Sequence, residues 1–251
     1  MFLNFADTKY FVMSSDQLRR DDNGNYVKSY STKLSPIRQP VKDFSLGDPI
    51  PPSKEELIRN ELDAAKDFEQ EYIGHAGIVD YSIEEGEIST EEIEDATNIK
   101  TYLEQNGLEE AEEIGEMMGH LMADIHRLGS HGDPELDNFM YRDGDILSID
   151  HEFYSRNSGT IDRREDLRLI ESDSRTLNTP KYTSFIENFK EGYLDEIREE
   201  DELYPEIRER DEPLLLAEGL MRIKKDHEDI EPARVIERSM NLFKNTLNRT
   251  N

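Results

Sequence analysis

The stretch His131-Gly132-Asp133-Pro134-Glu135-Leu136-Asp137-Asn138-Phe139-Met140-Tyr141-Arg142-Asp143-Gly144-Asp145-Ile146-Leu147-Ser148-Ile149-Asp150 carries oxygen-bearing side chains where a short hairpin would gather them. Asp143-Gly144 is a strong two-residue turn signal between strand-like runs at 139–142 and 145–149. Asn138 precedes the first run and Asp150 follows the second. Antiparallel pairing, with opposed Cα atoms about 4.5–5.5 Å apart, therefore brings an amide and a carboxylate together. Such a pair suits Mg²⁺, which takes hard oxygen ligands at about 2.0–2.1 Å, keeps several waters and is commonly completed by substrate phosphates. Asp133 lies five residues before Asn138, in the loop entering the hairpin, where a carboxylate can orient or deprotonate an attacking hydroxyl. Taken singly, Asp133, Asn138 and Asp150 are equally ordinary turn residues of a surface hairpin. The ordered set, behind a long helix, carries the chemical reading.

The rest of the chain must position that set. Over 108–128, Ile114, Met117, Leu121, Ile125 and Leu128 recur at steps of three and four and predict an amphipathic helix, with Met117, Met118 and Met122 as core packing. Nearer the start, Tyr10–Met13 is β-prone, Asp22-Asn23-Gly24-Asn25 signals a turn and Tyr26–Tyr30 alternates like a strand, which predicts a hairpin. Pro36, Pro40, Pro49, Pro51 and Pro52 impose a loop over 35–53. Ser53 reads as the N-cap of a helix carrying Leu57, Ile58, Leu62, Ala65 and Phe68 and ending near 72–77. Strands follow at 78–83 and 87–93, then a short helix at 98–103. Helical patterns resume at 161–177 and 182–197. Pro213 and Pro232 mark two further helix starts, with Ile236, Met240, Phe243 and Leu247 on one stripe. Strands first and helices later, without an internal repeat, predict an α+β chain in two lobes.

At 251 residues there is room for one medium domain or two small lobes. Hydrophobic residues make up 35% of the chain, against a usual ~45–50% by a count that includes Gly, so amphipathic layers are expected. Lys plus Arg number 30 and Asp plus Glu 58, a formal charge of −28. Such a surface repels phosphate backbones and argues against nonspecific nucleic-acid binding. Acidity this deep points to disorder or to a salt-rich, halophilic cytoplasm; the apolar periodicity favours the second. With no Cys there is neither a disulfide nor a thiolate site. The first ten residues lack a signal-type apolar run and no stretch nears a membrane span, so a soluble cytoplasmic protein with no membrane partner is expected.

The order His-Gly-Asp, four residues, Asn, then a hairpin and Ile-Asp resembles the catalytic and metal loops of the protein-kinase-like superfamily. The His-Gly-Asp form is similar to atypical kinases and aminoglycoside phosphotransferases. Tyr26-Val27-Lys28-Ser29-Tyr30-Ser31-Thr32-Lys33 resembles the strand bearing the phosphate-binding lysine in the small atypical kinases of the KEOPS tRNA-modification complex. Arg59-Asn60-Glu61-Leu62-Asp63-Ala64 resembles their helix bearing its glutamate partner, and 162–169 and 185–193 their closing helices. The resemblance covers about 26–193. It implies a protein-kinase-like fold with a reduced β-rich N-lobe (1–94), a mainly helical C-lobe (95–193) and a C-terminal helical extension (194–251) that could bind a partner subunit.

The same resemblance implies ATP and Mg²⁺ as cofactors, Lys28 on the α and β phosphates held by Glu61, Asp133 as catalytic base, and Asn138 and Asp150 on Mg²⁺. It puts Thr90 beside the adenine, the backbone of Glu91, Glu92 and Ile93 in the hinge, and Asp166 bracing the catalytic loop. The chain departs from the pattern in three places. Asp150-His151-Glu152 replaces Asp-Phe-Gly, which is closer to the phosphotransferases. No glycine-rich loop precedes Lys28, Ser14-Ser15-Asp16 being a weak substitute. Too few residues separate Asp150 from Asp162 for a long activation segment. The implied activity is phosphoryl transfer to Ser or Thr, or ATP hydrolysis within a complex. The alternatives are a small-molecule phosphotransferase acting on an aminoglycoside, sugar or choline-type hydroxyl, and a noncatalytic pseudokinase scaffold.

Overall fold

The computed structural model describes residues 15–30, 52–156, 158–198 and 201–208. The anticipated strand at 10–13, most of the proline-rich loop and the helices after Pro213 and Pro232 lie outside the described residues. Strand β1 (Ser15–Arg20) pairs antiparallel with β2 (Tyr26–Tyr30), Leu18 facing Lys28 and Arg20 facing Tyr26. The hairpin stands where its turn signal put it, but the strand paired with β2 is Ser15–Arg20, not 10–13. The turn closes at Asp21, whose Oδ1 accepts the N–H groups of Asn23 and Asn25 at 2.8 and 2.9 Å. The residues directly before Asp21 must then pair with β2, whatever their polarity.

Helix α1 (Lys54–Glu71) starts at Ser53 with a capping box: Ser53 Oγ accepts from Glu56 N–H at 3.2 Å and the Glu56 carboxylate accepts from Ser53 N–H at 2.7 Å. Strands β3 (Ile78–Ser82) and β4 (Glu87–Thr90) complete an antiparallel sheet in the order β1-β2-β4-β3. Between this sheet and the first half of α1 lies a small core of Tyr30, Leu57, Ile58 and Ile88.

A second sheet holds β5 (Thr97–Asn98), β6 (Phe139–Arg142) and β7 (Asp145–Ser148). Around it pack α2 (Ile99–Gln105), α3 (Leu108–Leu128), α4 (Thr160–Ser174), α5 (Thr179–Glu196) and α6 (Leu203–Arg208). Their shared core includes Leu103, Ile114, Met118, Met122, Phe139 and Phe185, so the methionine stripe of α3 is packing, as its periodicity requires. Helix α1 serves both cores. Leu57 and Ile58 belong to the small one, Ala64 and Phe68 to the large one, and Glu61 sits between them. Among the described residues no helix is long and apolar enough to cross a membrane.

Helices α3 and α5 touch backbone to backbone. A Cβ on Gly119 would lie 2.3 Å from Phe189 O, and one on Gly115 2.4 Å from Phe185 O. A methyl at either site forces the helices apart and opens the core beneath. Gly119→Ala is expected to lower unfolding stability by about 1–3 kcal/mol. Gly159→Ala, where an added Cβ meets nothing within 4 Å, should cost less than about 1 kcal/mol. Denaturant titration of both variants checks this.

Candidate active site

The ribbon β6–β7 pairs Phe139 with Ser148 and Arg142 with Asp145, and Ile149 N–H donates to Asn138 O at 2.9 Å. Asp143 and Gly144 both take positive φ, 53° and 95°, the conformation a tight two-residue turn demands. Asn138 and Asp150 therefore flank the same end of the ribbon. The Asn138 amide is oriented: its Nδ2 donates to Asp133 O at 2.8 Å, leaving Oδ1 as the end free to meet a cation. Asp150 has φ 62°, a left-handed conformation that Asp tolerates better than most residues and that turns its carboxylate toward β2.

From β2, the Lys28 ammonium reaches that carboxylate. It forms a close ion pair with Asp150, lies 2.5 Å from Glu152 Oε2 without hydrogen-bond geometry, and stands 3.5 Å from Glu61 Oε1. Its side chain is only 12% exposed, which excludes a solvated strand lysine. Glu61 is further held by Tyr30 OH at 3.2 Å and His151 N–H at 3.0 Å. Asn60, one residue before Glu61, donates to Glu152 O at 2.7 Å.

Asp166 on α4 is buried and fixes the loop that enters the ribbon, its two oxygens accepting from His131 N–H at 2.7 Å and Gly132 N–H at 3.0 Å. His126 Nε2 faces the same carboxylate at 3.2 Å, so its proton sits there and Nδ1 accepts from Tyr193 OH at 2.7 Å. Gly132 has φ +87°, and a Cβ there would lie 2.3 Å from Phe153 O. The loop crosses the chain after β7 so closely that only glycine fits.

The charges do not balance. Glu61, Asp150 and Glu152 offer oxygens within 4.8 Å of one another around a single ammonium. Burial disfavours the charged form of Lys28, but Asp150, Glu152 and Glu61 together hold its pKa well above the usual lysine value. Burial likewise works against Glu61, yet the hydrogen bonds from His151 and the nearby Lys28 bring it down to about 2. Glu152 goes the other way. Burial pushes it up to about 7 against the pull of Lys28, with Asp150 adding to the rise. Asp133 is likewise pushed up to about 7, by burial and then by Glu135, Asp150 and Asp166. An excess of buried hard oxygens is the donor set that Mg²⁺ neutralises. The residues present fit that ion, which Asp150 and Glu152 would hold, with Asn138 Oδ1 at the same end of the ribbon.

At the other end of the sheet, Thr90 closes β4 opposite Tyr26, on the face that carries Lys28. Glu91 N–H donates to Gly77 O at 2.8 Å, so this hinge donor is committed inside the protein. Glu92 pairs with Arg20, which also donates to Tyr26 OH at 2.8 Å and lies 5.0 Å over its ring. After β7, Arg156 clasps α1 through Asp67 at 2.5 and 2.7 Å and Asp63 at 3.1 Å, and Tyr154 OH donates to Asp67 at 2.9 Å.

Glu152, which the sequence offers as a possible aid to the metal beside the commoner reading of packing or solvation, lies buried within 2.5 Å of Lys28 Nζ. The only signal for it was the triplet Asp150-His151-Glu152 itself. Asn60, Tyr30 and Arg156 carried no signal, since their roles arise from partners distant in the chain.

No family model matches the chain, and no curated protein matches it. Several solved structures are similar. A choline/ethanolamine kinase family protein from Mesorhizobium loti is 15% identical, covering 74% of this chain and 77% of that one, with a TM-score of 0.40. The Rio2 kinase of Chaetomium thermophilum, in its ADP/Mg²⁺ phosphoaspartate complex, is 14% identical over 90% of this chain and 67% of that one, with a TM-score of 0.47. The choline kinase LicA of Streptococcus pneumoniae is 14% identical over 92% and 93%, with a TM-score of 0.39.

Because Asp133 and Glu152 bind protons more tightly in the folded than in the unfolded chain, their contribution to stability is present below the unfolded carboxyl range of about 4 and is lost as pH rises toward about 7. In EDTA the thermal midpoint should fall across this window, and Glu152→Gln should flatten the fall. Mg²⁺ should raise the midpoint more above about pH 7 than near pH 5, where protons already offset the charge. Melting curves at several pH values with and without Mg²⁺ check the sign.

Proposed function

We propose that the chain is an ATP-dependent phosphotransferase of the protein-kinase-like kind, with a β-rich N-lobe and a helical C-lobe on either side of the nucleotide. The observation that carries this reading is Lys28 of β2 gripped between Glu61 of α1 and Asp150 at the end of the ribbon. An ammonium fixed in this way is ready to receive phosphate oxygens. Lys28 would hold the α and β phosphates, with Glu61 restraining it. Thr90 and the backbone of Glu91–Ile93 would line the adenine, with Glu91 N–H already used by Gly77. Mg²⁺ on Asn138 and Asp150 would offset the charge of the transferring phosphoryl group. The acceptor hydroxyl attacks the γ-phosphorus, the bond to the ADP oxygen breaks, and Asp133 takes the hydroxyl proton. A base raised toward neutrality suits that transfer.

The acceptor we propose first is a serine or threonine hydroxyl, in line with the KEOPS-type resemblance of 26–33 and 59–64, in a cytoplasmic protein whose C-terminal extension engages a partner. One observation favours a second acceptor class. Only 151–159 join Asp150 to α4, a connection too short to build a platform for a peptide, which suits a small-molecule hydroxyl.

Radiolabelled ATP with Mg²⁺, offered with protein and with small-molecule acceptors, tests both. Wild type should transfer label, and Asp133→Asn and Asp150→Asn should each reduce transfer at least ~100-fold. Lys28→Met should abolish nucleotide-dependent stabilisation. Transfer unaffected by the two Asp substitutions would sink the mechanism. Stabilisation by Mg²⁺-ATP without consumption would instead indicate a scaffold.

A further inference from the structure

A line of buried polar groups that plays no part in the chemistry above runs between the two halves of the site. Glu61 Oε2 lies 3.5 Å from His151 Nδ1. His151 Nε2 lies 2.9 Å from Ser148 Oγ, and Ser148 Oγ lies 3.1 Å from His131 Nε2. His131 Nδ1 faces the backbone N–H of Asp133 at 3.4 Å. His131 and Ser148 are wholly buried and His151 is 4% exposed, so water does not compete for these contacts.

Each end constrains the ring beside it, and Ser148 joins the two. At one end, Glu61 is ionised and accepts only, so a bare Nδ1 facing it would set lone pair against lone pair. His151 Nδ1 therefore carries a proton, and its Nε2 is the atom left to face Ser148. At the other end, the Asp133 N–H points at His131 Nδ1, so that nitrogen is bare and the His131 proton sits on Nε2. Between them Ser148 has one proton to give and lone pairs to receive. It donates to His151 Nε2 and accepts from His131 Nε2–H. The assignments meet in the middle without conflict. Had both ends demanded bare Nε2 atoms, one serine proton could not have served them. Burial also disfavours an imidazolium at His131, whose pKa is held well below the usual histidine value, with His151 contributing.

We propose that His131, Ser148 and His151 form a directed hydrogen-bond relay, Asp133 N–H to His131 to Ser148 to His151, whose last ring faces Glu61 at 3.5 Å and whose backbone N–H donates to the same carboxylate, so that it couples the position of the catalytic base to the lysine-holding glutamate. The three are positioning residues. The base assignment rests on the proposed phosphotransferase reading; the relay geometry does not. Ring packing supports the relay from both sides. Phe68 of α1 meets His151 edge-on at 4.9 Å, and Phe139 lies 5.3 Å from His131.

Proton-detected ¹⁵N spectroscopy of the full chain at neutral pH reads each ring nitrogen as protonated or bare. His131 is expected to carry its proton on Nε2 and His151 on Nδ1. The opposite tautomer at either ring, or an imidazolium, overturns the relay whatever the protein catalyses. In Ser148→Ala, the His131 signature should lose its single tautomer and turnover should fall about 10-fold, while KM for ATP stays within about twofold. Unchanged ring signals and turnover in that variant would also overturn it. If Ser148→Ala fails to fold, the wild-type tautomers decide. Absence of phosphoryl transfer in wild type counts against the proposed function and leaves the tautomer result standing.

Discussion

A single buried ammonium holds the site together. Lys28 belongs to the first sheet, Glu61 to the helix shared by both cores, and Asp150 and Glu152 to the segment leaving the ribbon. Buried charges are tolerated only when paired, so these three pieces of chain must converge at one point or each leaves a charge stranded. The capping box at Ser53, the left-handed turn at Asp150 and the amide bridge from Asn60 to Glu152 are local means to that convergence. One positive charge cannot neutralise three carboxylates, and burial, with the neighbouring carboxylates adding to it, raises the pKa values of Glu152 and Asp133. A divalent ion and a polyphosphate would complete the set together, since the ion needs the oxygens and the phosphates need the ammonium.

The parts of this site that were legible in the sequence are those that local geometry dictates. A two-residue Asp-Gly turn between alternating runs specifies the ribbon, and the ribbon brings Asn138 beside Asp150 without reference to the rest of the molecule. Helix α3 was equally plain, because its stripe of Ile and Met is periodic over its full length. Glu61 is different. In a chain with 58 acidic residues, nothing local distinguishes a buried glutamate from a solvated one, and only family resemblance singled it out. Glu152 carried no local mark of burial for the same reason; in the fold it is buried and its carbonyl accepts from Asn60 of α1. The strand Ser15–Arg20 was missed because it is polar and its place is set by the turn that follows.

The histidines show a third situation. Their types and positions were visible, but the relay depends on which ring atom faces which partner, and that is a property of rotamers packed in three dimensions. His131, Ser148 and His151 lie on the catalytic loop, the end of β7 and the residue after Asp150. No periodicity connects them. Asp166 lies between the two kinds of case: the resemblance named it, and its hydrogen bonds to His131 and Gly132 give that role a physical basis.

The clasp of Arg156 on Asp67 and Asp63 bears on how such a protein is governed. It fastens α1 to the connection after β7, while Asn60 fastens the same helix a turn earlier, so Glu61 lies between two points at which its helix is tied to the segment leaving the ribbon. Proteins that toggle need two arrangements of similar free energy; riveting one helix at two points removes the second.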